Sequence, residues 1–262
     1  MPIPIVVIGR QRSGTTVYRE LLARCGAIDR GEIFHSQFVN NKQNFYCYLA
    51  EKTSEDVLNL HPTAYPALFN RFLEERVLNA KAKYVLVDVK YNALRYIDGG
   101  MTEKLPAVIR QLNARGASFL HVRRRNKLRV YVSVLVAMKT GRWSDAGDGS
   151  LSLEERMVDV PPLPALESVQ SDIWFEGKVA EWIKGHRGWE IDYEDMFDQD
   201  GAFSDKAIET AGQLLNKTVT TENAKRVTLK RQNPEPLNEV VRNFDQLKGL
   251  FDKTPHTWML SG

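Results

Sequence analysis

Short unbroken apolar runs alternate along this chain with longer stretches in which apolar residues recur every three or four positions. Ile5, Val6, Val7 and Ile8 form such a run just before Gly9, and predict a buried first strand. Beyond Gly14, the apolar residues Val17, Leu21 and Leu22 stand among Tyr18, Arg19, Glu20 and Arg24, the pattern of an amphipathic helix. Helical spacing returns over 66–79 through Leu68, Phe69, Phe72, Leu73 and Val77, and 84–89 reads as a second short strand. A helix is expected from near Thr102, with Pro106 limiting its first turns and Gly116 closing it. A third strand over 117–122 leads into a helix over 126–139, built on Leu128, Val132, Leu135 and Val136.

Pro161, Pro162 and Pro164 mark a connection before a long helical run at 167–184, and 188–193 reads as one more strand. Further helices are expected from beyond Phe203 to about Asn216 and over 237–251. Between Gly26 and Tyr48 the pattern breaks into polar residues with interspersed aromatics (Phe38, Phe45, Tyr46, Tyr48), which suits surface structure around a cleft. The alternation predicts an α/β fold: one domain over 1–262, with a central, mainly parallel β-sheet flanked by helices.

Composition changes this picture little. With 262 residues, 43% hydrophobic and 26% charged, the chain has the make-up of an ordinary globule. No apolar stretch reaches membrane-spanning length, and the first residues lack the basic-then-apolar order of a secretion signal; a cytoplasmic protein with Cys25 and Cys47 reduced is the expectation. The net charge of +3 does not by itself imply nucleic-acid binding, but it is unevenly spread: Arg123, Arg124, Arg125, Lys127 and Arg129 crowd together without an acid. Five histidines and two cysteines show no metal-ligand spacing, so no metal is expected.

The candidate chemistry lies in the connection between the first strand and the first helix. Arg10-Gln11-Arg12-Ser13-Gly14-Thr15-Thr16 places glycine, hydroxyls and two arginines where backbone N–H groups and a helix N-terminus favour an anion. Gly9 and Gly14 keep the G-x-x-x-x-G spacing of a phosphate-binding loop, but Thr15 stands where that motif requires lysine. The positive charge sits inside the loop instead, which suits a phosphate- or sulfate-bearing nucleotide rather than a magnesium-bound triphosphate.

At Arg12-Ser13-Gly14-Thr15-Thr16 the chain resembles the sulfotransferases that use 3′-phosphoadenosine 5′-phosphosulfate, with arginine for the lysine usual in cytosolic members. Arg125 and Ser133, eight residues apart, resemble that family's binding pair for the 3′-phosphate, with Arg124 competing for the arginine role because Lys127 replaces the usual proline. Gly31-Glu32-Ile33-Phe34, the stretch from Arg125 to Trp143 and Tyr193-Glu194-Asp195-Met196 are similar to elements of bacterial carbohydrate sulfotransferases of the trehalose type. Asp88-Val89-Lys90 stands in place of their Phe-Gly-x-Lys element, and 229–234 with 241–244 resemble their nucleotide-cover region, here around 225–245. No counterpart is evident for 36–80, taken as an acceptor-side insertion.

The resemblance implies a P-loop-like sulfotransferase fold and transfer of a sulfuryl group to a hydroxyl of a carbohydrate or glycolipid. It implies that Arg10, Gln11, Arg12, Ser13, Gly14, Thr15 and Thr16 hold the 5′-phosphosulfate, with Lys230 and Arg231 covering the nucleotide. Glu32 is the implied general base, with His35 as its competitor, while Arg12 offsets charge on the leaving group and Phe34 and Lys90 face the acceptor. Two other readings stay open: a P-loop nucleotide phosphotransferase, against which the missing lysine counts, and a non-enzymatic polyanion-binding protein using 123–129.

Overall fold

The apolar runs form the middle of one sheet. The computed structural model describes residues 1–35, 42–98, 105–143, 151–224 and 235–261. Strands β1 (Ile3–Gly9), β2 (Ile28–Glu32), β3 (Tyr84–Lys90), β4 (Ser118–Arg123) and β5 (Gly188–Asp192) lie in the order β2-β3-β1-β4-β5, every adjacent pair parallel. β1 and β3 are buried almost throughout because helices cover both faces.

The helices are α1 (Thr15–Arg24), α2 (Phe45–Glu55), α3 (Tyr65–Phe72, continued as a π-turn over Leu73–Val77), α4 (Ala107–Asn113), α5 (Lys127–Thr140), α6 (Leu153–Arg156), α7 (Pro162–Ile183), α8 (Asp205–Leu215), α9 (Thr221–Ala224), α10 (Leu237–Val240) and α11 (Phe244–Phe251). One sheet face, carrying Val6, Ile8, Val85, Val87 and Phe119, packs against α3, α4 and the end of α7. The other, carrying Ile5, Val7, Leu86 and Leu120, packs against α1 and α8. A third cluster joins α5 and the start of α7 to α10 and α11.

Several elements depart from the sequence pattern for identifiable reasons. β2 is a strand where surface irregularity was expected: it is the sheet edge, its pairing with β3 shifts register between Asp29 and Glu32, and Gly31 takes φ 72°. The long helix starts at Pro162 rather than 167, since a proline in the first turn loses no helical hydrogen bond. The expected last helix is two short ones, interrupted where Val241 bridges to Val158 and Asn243 bonds both the N–H and the C=O of Val160. Within 36–80, the described part is mostly helical, and Phe34, Phe45 and Tyr48 are core residues rather than a cleft lining. Among the described residues, neither Cys25 nor Cys47 is in a disulfide. Among the described residues, no helix is long and apolar enough to cross a membrane.

Candidate functional site

In this strand order the chain leaves β1 toward one edge and β4 toward the other, so the carboxyl ends of these neighbours open a crevice between their loops. Such a switch point is where parallel α/β sheets bind ligands. Gly9 ends β1 where a Cβ would lie 2.7 Å from the Val122 carbonyl oxygen and 2.9 Å from Ser13 Oγ, so no larger residue fits. The chain then turns through left-handed conformations at Arg12 (φ 68°) and Gly14 (φ 93°) and enters α1, which starts without a side-chain cap. Successive turns of this kind converge backbone N–H groups on one point, and the uncapped first turn of α1 adds its own.

Side chains from four elements fix this loop. Ser13 is buried and its Oγ donates to the Arg10 carbonyl at 2.6 Å, so its hydroxyl shapes the turn. The ring of Tyr193, just after β5, lies where a Cβ on Gly14 would come within 2.6 Å. Arg124 sits over that ring at 4.9 Å and donates to the Arg12 carbonyl at 3.2 Å. From β3, buried Lys90 donates to Thr15 Oγ1 at 2.6 Å and to Asp88 Oδ2 at 2.8 Å. Arg10 Nε faces Asp172 Oδ1 of α7 at 3.2 Å, an ion pair without hydrogen-bond alignment. Gln11 is partly exposed within the turn, and Thr16 is exposed on the first turn of α1.

Arg12 crosses the crevice. Its Nε donates to Ser133 Oγ on α5 at 3.0 Å and its Nη1 to the Trp143 carbonyl. Burial, with Arg124 nearby, lowers the Arg12 pKa, so this cation is held in surroundings that favour an anion beside it. Asn126 caps α5 by accepting from the Arg129 N–H at 3.0 Å, and this sets the helix carrying Ser133. Arg124, Arg129 and Ser133 line a recess bounded opposite by Glu235, Leu237 and Val240.

Arg124 and Arg125 part company here. Arg125 is half-exposed and turned outward onto Asp195, with Asp192 3.5 Å away and its own N–H bonded to Glu194. Arg124, not Arg125, shares the recess with Ser133. The sequence pair Arg125 and Ser133 is thus not brought together.

Glu32 and His35 lie at the sheet-edge end of the same surface. Glu32 is paired in register with Asp88. Burial pushes its carboxyl up to about 7 and Asp88 adds to the rise, while Lys90 and Arg19 oppose it. Burial, and then Lys90, push His35 down. Phe34 does not face a ligand: it is buried and stacks on Phe69 at 5.4 Å, with Phe45 at 5.6 Å. Lys230 and Arg231 lie outside the described residues.

Asp172 and Arg19 belong to this constellation although the sequence pattern did not single them out for it, and Asp88 and Tyr193 lay in the quoted stretches 88–90 and 193–196 without a role of their own. For Asp172 a signal existed: with Glu176 it interrupts the inward face of α7 otherwise made by Val169, Val179 and Ile183, and an acid on such a face requires a cation. Glu176 has Lys127, 2.6 Å away. Among the described residues there is no group of three or more His, Cys, Asp or Glu that could hold a metal ion. No protein-family model matches the chain, and no curated protein matches it.

Proposed function

We propose that the protein transfers a sulfuryl group from 3′-phosphoadenosine 5′-phosphosulfate to a hydroxyl of a carbohydrate or glycolipid, on a P-loop-like sulfotransferase fold. The observation that carries this reading is the convergence of Arg12, Arg124, Ser133 and Lys90 on one switch-point crevice. Two anion positions follow: the β1–α1 loop with Lys90, and the recess of Arg124 and Ser133. That arrangement suits a nucleotide with separate 5′- and 3′-anions. Lys90, reaching Thr15 from β3, supplies at the loop the charge that a P-loop lysine supplies elsewhere.

In the reaction, the Glu32 carboxylate takes the proton of the acceptor hydroxyl as its oxygen approaches sulfur in line. A sulfur–oxygen bond forms to the acceptor, and the bond to the bridging oxygen breaks. Adenosine 3′,5′-bisphosphate leaves, its growing charge offset by Arg12, Lys90 and the loop N–H groups. A carboxyl poised near 7 is matched to accepting a proton at neutral pH. Asp88 stands near the end of β3 beside β1, where a phosphotransferase would want a magnesium ligand, but the cations Lys90 and Arg19 at its Oδ2 already balance its charge. This favours the sulfuryl reading.

Calorimetry with adenosine 3′,5′-bisphosphate, magnesium-ATP and short single-stranded DNA tests it. The bisphosphate is expected to bind tightest. Tighter ATP binding would turn the reading toward phosphotransfer, and tighter DNA binding toward a polyanion-binding protein. An acceptor screen that yielded only tyrosine-containing peptides would remove the carbohydrate assignment.

A further inference from the structure

The geometry points to Asp88 as a positioning residue of this site: it holds Lys90 on the anion loop and stands as a second carboxylate beside Glu32. Asp88 is only 1% exposed, near the end of β3, where it and Lys90 are the charged residues of a strand otherwise given to the core. Its Oδ2 lies 2.8 Å from Lys90 Nζ and 3.2 Å from Arg19 Nε. Lys90 spends its next contact on Thr15 Oγ1, so the Asp88–Lys90 pair fixes where the loop's neighbouring cation sits. Arg19 is held on its other side by Asp29 at 2.8 Å.

A purely structural ion pair explains Oδ2 but not Oδ1, which is buried with no hydrogen-bond partner among the described residues. Glu32 is the register partner of Asp88 in the adjacent strand, and paired residues project to the same sheet face. The groups acting on Glu32 come from three elements: Asp88 and Lys90 of β3, Arg19 of α1 and Tyr46 of α2; His35, beyond the end of β2, responds to the same Lys90 and Asp88. Asp88 is the acid among them that disfavours a second negative charge. Burial is the first cause of the raised Glu32 carboxyl; the Asp88 carboxylate adds to it, and so contributes to the basicity with which Glu32 can take a proton from an acceptor. The inference deepens the sulfuryl-transfer reading, on which the role of Glu32 as base rests.

NMR of carbon-13-labelled Asp and Glu carboxyl groups tests the coupling in the ligand-free protein. In the wild type, Glu32 is expected to titrate at about 7, with the Asp88 carbon responding in the same step. Asp88→Asn is expected to lower the Glu32 midpoint by about 1 pH unit. An unchanged midpoint in that variant would overturn the proposal. Should Asp88→Asn fail to fold, an Asp88 carbon silent through the Glu32 step in the wild type would overturn it equally. Calorimetry of the wild type with adenosine 3′,5′-bisphosphate separates the two claims: absent binding sinks the sulfuryl-transfer reading alone and leaves the carboxyl coupling standing.

Discussion

Arg124 and Arg125 are chemically identical neighbours, and the turn after β4 sends one into the crevice and the other onto Asp195. If the 3′-phosphate sits with Ser133, Arg124→Ala should erase most of the preference for adenosine 3′,5′-bisphosphate over adenosine 5′-phosphate. The loss of one charge-assisted contact is about 1.5–3 kcal/mol. Arg125→Ala should leave the preference intact, and calorimetry of the two variants side by side decides between them. At the other end of the site, Glu32→Gln keeps the shape without the basic function. Nucleotide affinity should persist while the chemical step slows at least about 10²-fold. His35→Asn should cost less. In the wild type, the rate of that step should rise with pH through about 7, because the carboxylate is the active form. Rapid-mix kinetics across this range should show the limb vanish in Glu32→Gln, and a limb that survives would move the base role to His35.

The loop between β1 and α1 is the element on which the site depends, and its shape is backbone-determined. Gly14 combines φ 93° with a Tyr193 ring carbon 2.6 Å from where a Cβ would stand. Gly14→Ala therefore meets both a strained conformation and a ring contact, and destabilisation of roughly 1–3 kcal/mol is expected together with loss of bisphosphate binding. Denaturant unfolding and calorimetry on the same variant check both effects. α5 depends in a comparable way on Asn126, whose side chain accepts from the Arg129 N–H and donates to the Met259 carbonyl at 2.7 Å. Asn126→Ala is expected to cost about 1–2 kcal/mol, since it loses a cap and leaves a carbonyl without its partner.

Across the whole molecule, acids drawn partly or wholly out of water tie stability to pH. The Glu32 carboxyl is raised from its ordinary 4.5 to about 7, and Asp172 and Glu176 are also raised, chiefly by burial. The folded protein therefore binds more protons than the unfolded chain over this interval. The Glu32 contribution is fully present below its unfolded value and lost as pH rises through about 7. Glu32→Gln removes that loss. Its melting temperature should exceed that of the wild type at mildly alkaline pH, with a free-energy difference of about 1–3 kcal/mol that shrinks on acidification. A difference independent of pH would show that Glu32 ionises as easily in the fold as in the unfolded chain.

The strands read at 5–8, 84–89 and 117–122, the helices that follow β1 and β4 and the tight strand-to-helix turn of the first loop were legible from the chain alone. Their causes are local: unbroken apolar runs, helical period, and glycine and hydroxyl residues at a strand-to-helix turn. Tertiary structure decided the rest. Lys90 meets Thr15 across 75 residues, and Arg12 meets Ser133 across 121; no local period encodes such contacts. Ile28–Glu32 reads as irregular surface structure until β3 supplies an edge to pair with. Phe34 reads as a ligand platform until Phe45 and Phe69 close around it. Which of Arg124 and Arg125 turns toward the crevice was set by Tyr193, Asp192 and Asp195, brought alongside β4 by β5. Local sequence selects backbone conformation through short-range sterics and burial periodicity; which side chains share a crevice depends on strand order, and strand order follows from packing among elements distant in the chain.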